Sequence, residues 1–214
     1  MQVAVVGANG GIGRRVVARL ADAGHDPVGV VRERAQFDAV RERGGEPRLG
    51  DLTGEFAGAL GGADAVVFTA GSGGETGFDA TLLVDLWGAR RVVDACVERG
   101  VDRFVMVSSL GASDPLAGPE ALGPYLVAKR MADDYLAASP VDATILRPTA
   151  LTDDAGTGRV FATTDTDEAG ADEIPREDVA AAIVAALEAP PTVDEPLRLF
   201  GGETPVERAI RPEK

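Results

Sequence analysis

The stretch Val3-Ala4-Val5-Val6-Gly7-Ala8-Asn9-Gly10-Gly11-Ile12-Gly13 decides how the rest of the chain is read. A short apolar, β-branched run ends at Gly7, and glycines recur at Gly10 and Gly13. Val16, Val17, Leu20 and Ala21 then fall at helical spacing, so the pattern is strand, glycine turn, helix. The glycines have a physical purpose in that context. A pyrophosphate reaches main-chain N–H groups at a helix N-terminus only where no Cβ intervenes, and the helix dipole favours its charge. The stretch therefore predicts dinucleotide binding through Gly7, Asn9, Gly10, Gly11, Ile12 and Gly13. Its spacing, Gly7-x-x-Gly10-x-x-Gly13, is not the G-x-G-x-x-G of most dinucleotide-binding dehydrogenase domains.

Working outward, strand and helix patterns alternate along the chain, the signature of a doubly wound parallel sheet with helices on both faces. Strands are predicted at 3–6, 27–31, 46–49, 65–69, 104–107, 143–146 and 197–200. Helices are predicted at 11–23, from 32 to about 43, at 53–60, 78–99 and 123–138, and from 175, with Pro175 in the first turn, to about 189. In the long 78–99 helix, Leu82, Leu83, Leu86, Val92, Val93 and Val97 form the expected inward stripe. Residues 152–173 are polar and glycine-bearing, with a short hairpin expected around Val160-Phe161. No repeat or linker interrupts the pattern, so residues 1–214 read as a single α/β domain. Its small C-terminal substrate region is a substrate-side insertion at 149–175.

Composition narrows the function. The 214 residues are 45% hydrophobic and carry a formal charge of −14, which argues against nucleic acid and anionic membranes as partners. No run approaches the length of a membrane span, and the chain enters a strand at once, so a cytoplasmic protein is expected. Cys96 and His25 are the only residues of their kinds, too few for a metal cluster, a disulfide or a Cys–His pair. Cys96 reads as a small buried hydrophobe and His25 as a helix-end residue. Lysine occurs only at 129 and 214, against nineteen arginines, which fits a GC-rich or salt-adapted source. The 78–99 helix is also a possible dimer face.

Arg32 stands just beyond the second strand, where this architecture meets the adenosine ribose. An arginine there accommodates a 2′-phosphate, which favours NADP over NAD. Arg34 can assist, while Glu33, turned inward, would serve the ribose of NAD instead. In the loop Gly50-Asp51-Leu52, Asp51 reads either as an acceptor for the adenine amine or as a helix cap. Thr69-Ala70-Gly71-Ser72 closes the fourth strand at the ligand-binding edge, and its small residues, Ala70 and Gly71 among them, let a cofactor lie against the backbone. Tyr125 and Lys129 lie one helical turn apart on one face. An ammonium beside a phenol favours the phenolate, so the tyrosine is expected nearer neutrality. Upstream, Ser108 and Ser109 end the fifth strand. Ser109 reads as the hydroxyl that holds a substrate carbonyl, or as an ordinary loop serine.

These motifs occur in an order and spacing that resemble the short-chain dehydrogenase/reductase superfamily. The marks are Gly7 to Gly13, Ser108-Ser109, Tyr125-x-x-x-Lys129 and Leu146-Arg147-Pro148. Tyr125 to Arg130, Leu151 to Asp154 and Ile174 to Ala180 resemble its atypical NAD(P)H-binding subgroup, which includes flavin and biliverdin reductase-like proteins and often bears a sugar epimerase label. The resemblance implies a Rossmann fold and an NADP(H)-dependent oxidoreductase acting on a small carbonyl, quinone or flavin-like substrate. It implies Ser109 as the group that polarises substrate and Tyr125 as proton donor. Lys129 would hold the nicotinamide ribose, Ser108 would lie on the cofactor side, and Pro148, Thr149 and Ala150 would flank the nicotinamide. Some members only sense the redox state of the cofactor, so a non-catalytic sensor is the alternative. A sugar epimerase fits less well, because about sixty-five residues follow Pro148 and part of them belongs to the core.

Overall fold

Val3, Ala4 and Val5 are fully buried and Val6 nearly so, because β1 (Gln2–Val6) lies inside the sheet with helices covering both of its faces. The structure, a computed structural model, describes residues 1–73, 77–192 and 195–211. After β1 come α1 (Gly11–Asp22), β2 (Asp26–Val31), α2 (Phe37–Arg41), β3 (Glu46–Leu49) and β4 (Ala65–Phe68). A continuous helical stretch follows, made of α3 (Phe78–Ala80), a π-helical segment (Thr81–Gly88) and α4 (Ala89–Arg99). Then come β5 (Arg103–Val107), α5 (Gly123–Ala137), β6 (Asp142–Pro148), β7 (Ala150–Thr152), β8 (Arg159–Thr163) and β9 (Glu173–Pro175). The chain closes with α6 (Arg176–Glu188), β10 (Leu197–Gly201), β11 (Thr204–Pro205) and α7 (Val206–Ile210).

The main sheet has nine strands in the order β11-β8-β10-β6-β5-β4-β1-β2-β3. From β3 through β10 every pair is parallel; β8 runs antiparallel to both β10 and β11. Side-chain alternation in the strands feeds two cores. Val3, Val5 and Val67 face α1 and α6, packing with Val16, Leu20 and Ile183. Ala4, Val6, Val66 and Phe68 face the other layer, with Val92, Val93 and Leu136. β1 pairs with β2 on one side and β4 on the other, so the chain reverses direction of progress there. That switch point opens a crevice at the carboxyl edge of the strands. This is the doubly wound Rossmann architecture.

Several local expectations are corrected. The segment 53–60 forms only a 3-10 turn, Ala57–Leu60, and the second helix shortens to a 3-10 turn plus α2. Val160 and Phe161 belong to no hairpin within 152–173; β8 pairs with the distant β10 and extends the main sheet. Pro175 ends β9, and α6 begins one residue later. β7 and β9 form a separate two-stranded parallel ladder beside the sheet.

The face of the 78–99 helix also differs from the expected one. Val92 and Val93 are buried, but Leu82 is 54% exposed, Leu83 48% and Val97 47%, while Leu86 is half-buried. The inward positions are instead Thr81, Asp85, Gly88, Ala89 and Cys96. Gly88 explains the choice: a Cβ there would sit 3.1 Å from Leu52 Cβ, so the helix approaches the sheet edge closely along its small-residue side. No helix among the described residues is long and apolar enough to cross a membrane.

Candidate functional site

The carboxyl edge of β1 turns sharply at Gly7, whose φ of +88° is open only to glycine. A Cβ on Gly7 would come within 2.6 Å of Ala70 N, so β1 and the end of β4 can approach only through this residue. At Gly13 a Cβ would lie 2.2 Å from Gly7 O and 2.9 Å from Ala8 Cα; the glycine lets α1 pack onto its own strand. Between them Gly10 N–H donates to Gly7 O at 2.9 Å, closing the turn. Gly10 then precedes a 12-residue helix with no acidic residue in its first turn and no side-chain cap bond. The leading N–H groups of α1 therefore keep their capacity for an external anion.

A cavity of about 820 Å³ runs across this edge. The glycine loop contributes Gly7, Asn9, Gly10, Gly11 and Ile12 to its wall. Arg32 and the loop carrying Asp51 and Leu52 line one end; Ala70 and Gly71 form the floor beyond β4; Tyr125 lines the other end with Thr81, Val84 and Asp85. Leu151 and Arg176 border it from the C-terminal part of the chain. That volume lies in the range of sites that bind small organic molecules and cofactors.

At the Arg32 end, the guanidinium is 72% exposed and 3.2 Å from Glu33, which leaves it accessible to a phosphate. Glu33 is turned to this surface ion pair, not inward. Asp51 accepts from Thr53 N–H and from its hydroxyl, both at 2.8 Å, which closes a local turn in the loop; it caps no helix, because the next helical turn begins at Ala57 after Phe56. Those bonds, and more weakly the charge of Arg32, hold its carboxyl below the usual range.

The Tyr125 end is made differently, from buried charges. Lys129 is 3% exposed and its Nζ donates to Val107 O at 2.8 Å. One turn further along α5, Asp133 is 1% exposed; its Oδ2 accepts from Ser108 Oγ at 2.8 Å and Arg147 Nε at 2.9 Å. Asp85, also 1% exposed, accepts from Ser72 N–H at 3.0 Å. Two buried cations thus answer two buried carboxylates. Burial pushes Asp133 up against the pull of Arg147 and Lys129, and pushes Lys129 down against Asp85 and Asp133.

Tyr125 is half-buried on the first turn of α5. Its phenol is pushed up to about 12, first by burial and then by Asp85 and Asp133. The sequence led to the opposite direction, because Lys129 one turn away suggested an ammonium facing the phenol. Lys129 spends a hydrogen bond on the end of β5, and the nearby carboxylates oppose the phenolate. At neutral pH Tyr125 keeps its proton.

Not every residue singled out from sequence reaches the cavity wall. Ser108 is buried with its hydroxyl turned to Asp133, and Ser109 is half-buried at the start of a 3-10 turn. Pro148 ends β6, Thr149 N–H donates to Leu199 O, and Ala150 N–H donates to Asp172 O; all three belong to the sheet margin behind Leu151. Gly13 acts through packing. Asp85, Asp133 and Arg176 were missed. A lone carboxylate within the apolar run Leu82 to Leu86, and another one turn after Lys129, were the available signals.

Residues 7–190 match a family model described as NAD(P)H-binding. The chain belongs to the NAD(P)H-binding family. A relative in Bacillus subtilis (strain 168), named as an uncharacterized sugar epimerase, is 42% identical over 215 residues, 99% of either chain. A solved structure named for an NAD-dependent epimerase/dehydratase of Bacillus halodurans is 40% identical, covers 98% of both chains and superposes with a TM-score of 0.92. An anaerobillin reductase from Escherichia coli O157:H7 is 25% identical over 95% of this chain and 98% of that one, with a TM-score of 0.79. For this NAD(P)H-binding protein the uncapped α1 amides and the Arg32 end fit the diphosphate and adenosine of a nicotinamide nucleotide. The resemblance to atypical short-chain dehydrogenase/reductases thus extends over nearly the whole fold.

Proposed function

We propose that this protein is an NADP(H)-dependent reductase of a small carbonyl, quinone or flavin-like compound. The observation that carries the reading is one continuous cavity with the glycine loop and Arg32 at one end and Tyr125 at the other. Bound reduced nicotinamide supplies hydride. Arg32, exposed at the adenosine end, selects the 2′-phosphate by charge and hydrogen bonding. Tyr125 gives its proton to the substrate atom on which negative charge gathers. Ser109 for the substrate oxygen and Lys129 for the nicotinamide ribose are the roles the resemblance implies, but neither residue borders the cavity and Lys129 Nζ is engaged by Val107 O, so the reading rests on Tyr125. Leu151, on the 149–175 segment, supports placing the substrate against that segment.

The kinship with an anaerobillin reductase is in keeping with a conjugated acceptor. Two relatives bear epimerase names, yet each is matched over 98% or more of its own length, so they have no larger sugar-binding lobe than this chain. The test is NADPH oxidation against quinones, aldehydes and flavins, comparing wild type with Tyr125→Phe. We expect turnover with at least one class and a loss of about 100-fold in the variant, the scale of general acid catalysis. Retained NADPH binding without any tyrosine-dependent turnover would assign the protein instead to a redox-sensing role.

A further inference from the structure

We infer that Arg176 clamps the cofactor's diphosphate, and that Asp153 occupies its guanidinium until the nucleotide arrives. The inference rests on the cofactor-binding reading and adds to it a residue from the far end of the chain. Arg176 is the first residue of α6, and the packing of α6 against α1 lays its side chain over the glycine loop. A Cβ on Gly11 would lie 2.9 Å from Arg176 Cδ and 3.1 Å from its Nε. The bare glycine is what admits the arginine stem here.

The electrostatics of this spot need an anion. Arg15 Nη1 donates to Gly11 O at 2.7 Å, so two guanidinium groups gather at the leading end of α1. That end carries the positive pole of the helix dipole, where cations are disfavoured. Asp153 answers them in this structure: its carboxylate is 3.2 Å from Arg176 Nη1 and 3.4 Å from Arg15 Nη2. Its side chain is 74% exposed, and an ion pair in that setting contributes little. A diphosphate seated on the α1 amides brings two charges and several acceptor oxygens to the same place, which the guanidinium fork can bind in parallel. Arg15 is also tied to Glu177 at 3.3 Å and does not border the cavity, whereas Arg176 does. Arg176 also donates a long bond, 3.4 Å, to Leu151 O, and of the two it is the guanidinium placed at the cavity to exchange a carboxylate for a phosphate.

Calorimetric titration of the full chain tests this with three probes: NADPH, ADP-ribose, which keeps the diphosphate, and 2′-AMP, which lacks it. For Arg176→Met, which keeps the stem over Gly11, we expect NADPH and ADP-ribose to bind about tenfold more weakly, the scale of one charged hydrogen-bonded contact. Binding of 2′-AMP should stay within about twofold of wild type on the same scale. Asp153→Asn should tighten NADPH and ADP-ribose in the wild-type background and change nothing in the Arg176→Met background. Unchanged ADP-ribose affinity in Arg176→Met, or equal losses for 2′-AMP, overturns the clamp. If circular dichroism shows Arg176→Met unfolded, Asp153→Asn decides alone, and unaltered affinity there overturns it. Wild type that binds ADP-ribose but no NADPH would sink the reductase reading while leaving the clamp intact.

Discussion

The two ends of the cavity are built on opposite principles. The phosphate end is main chain at its centre: a positive-φ glycine and a helix start with unclaimed N–H groups, with Arg32 exposed beside them and Arg176 laid over Gly11. The Tyr125 end is side chain: Lys129, Asp133, Arg147 and Asp85, each 8% exposed or less, arranged so that every one of these buried charges has an opposite near it. A main-chain site tolerates change in the residues around it so long as no Cβ intrudes. A buried charge cluster is coupled throughout, because removing one member strands the others in a low-dielectric setting.

That contrast can be broken most directly at Asp133. Asp133→Ala leaves Arg147 and Lys129 without their shared counter-charge, and we expect a stability loss of about 3–5 kcal/mol by urea denaturation. A loss below about 1 kcal/mol would show the cluster to be loosely coupled. Next in size is Gly13→Ala. The added methyl meets backbone atoms of Gly7 and Ala8, which cannot rotate away, so about 2–3 kcal/mol and a lowered Tm are expected. A variant that melts like wild type would mean the glycine spacing is incidental to packing.

Arg32→Ala sharpens the phosphate end without touching the fold, since the side chain is 72% exposed. NADPH affinity should fall about tenfold, roughly 1.4 kcal/mol, with NADH little changed. Equal losses for both nucleotides would remove the arginine from 2′-phosphate selection. The smallest effect is one of pH. Folded Tyr125 holds its proton to about 12, against 10.0 for a free phenol. Folding then favours the protonated form, so this group's contribution to stability is complete below pH 10 and is lost as pH rises through about 12. Phenolate absorbance in the apoprotein should stay absent at pH 9 and be assigned by Tyr125→Phe. A tyrosine-dependent step between pH 7 and 9 would show that Lys129 governs the phenol after all.

The phosphate end was largely readable because glycine spacing is a local signal of backbone shape. Gly7, Gly10 and Gly13 mark positions where a Cβ would strike backbone within a few residues or in the adjacent strand. The doubly wound, mostly parallel sheet followed from the same alternation of short apolar runs and helical segments. The 78–99 helix was misjudged for an instructive reason. Apolar residues stand on both of its sides, and hydropathy favoured the leucines, but close approach selected Gly88 and Ala89, and a hydrogen bond to Ser72 N–H drew in Asp85. A π-helical segment within the run also departs from the 3.6-residue period on which the expected stripe was based.

What the residues determined by themselves is the wound sheet, the glycine turn at its first strand, and the placing of Tyr125 and Lys129 one turn apart on α5. These depend on neighbours in sequence, where backbone geometry and side-chain period operate. The upward shift of the Tyr125 phenol, the burial of Asp85 and Asp133 beside Lys129, and the arrival of Arg176 at Gly11 were decided by tertiary structure alone. Each arises from desolvation or charge contact between elements far apart in the chain, and such energies exist only once those elements have packed.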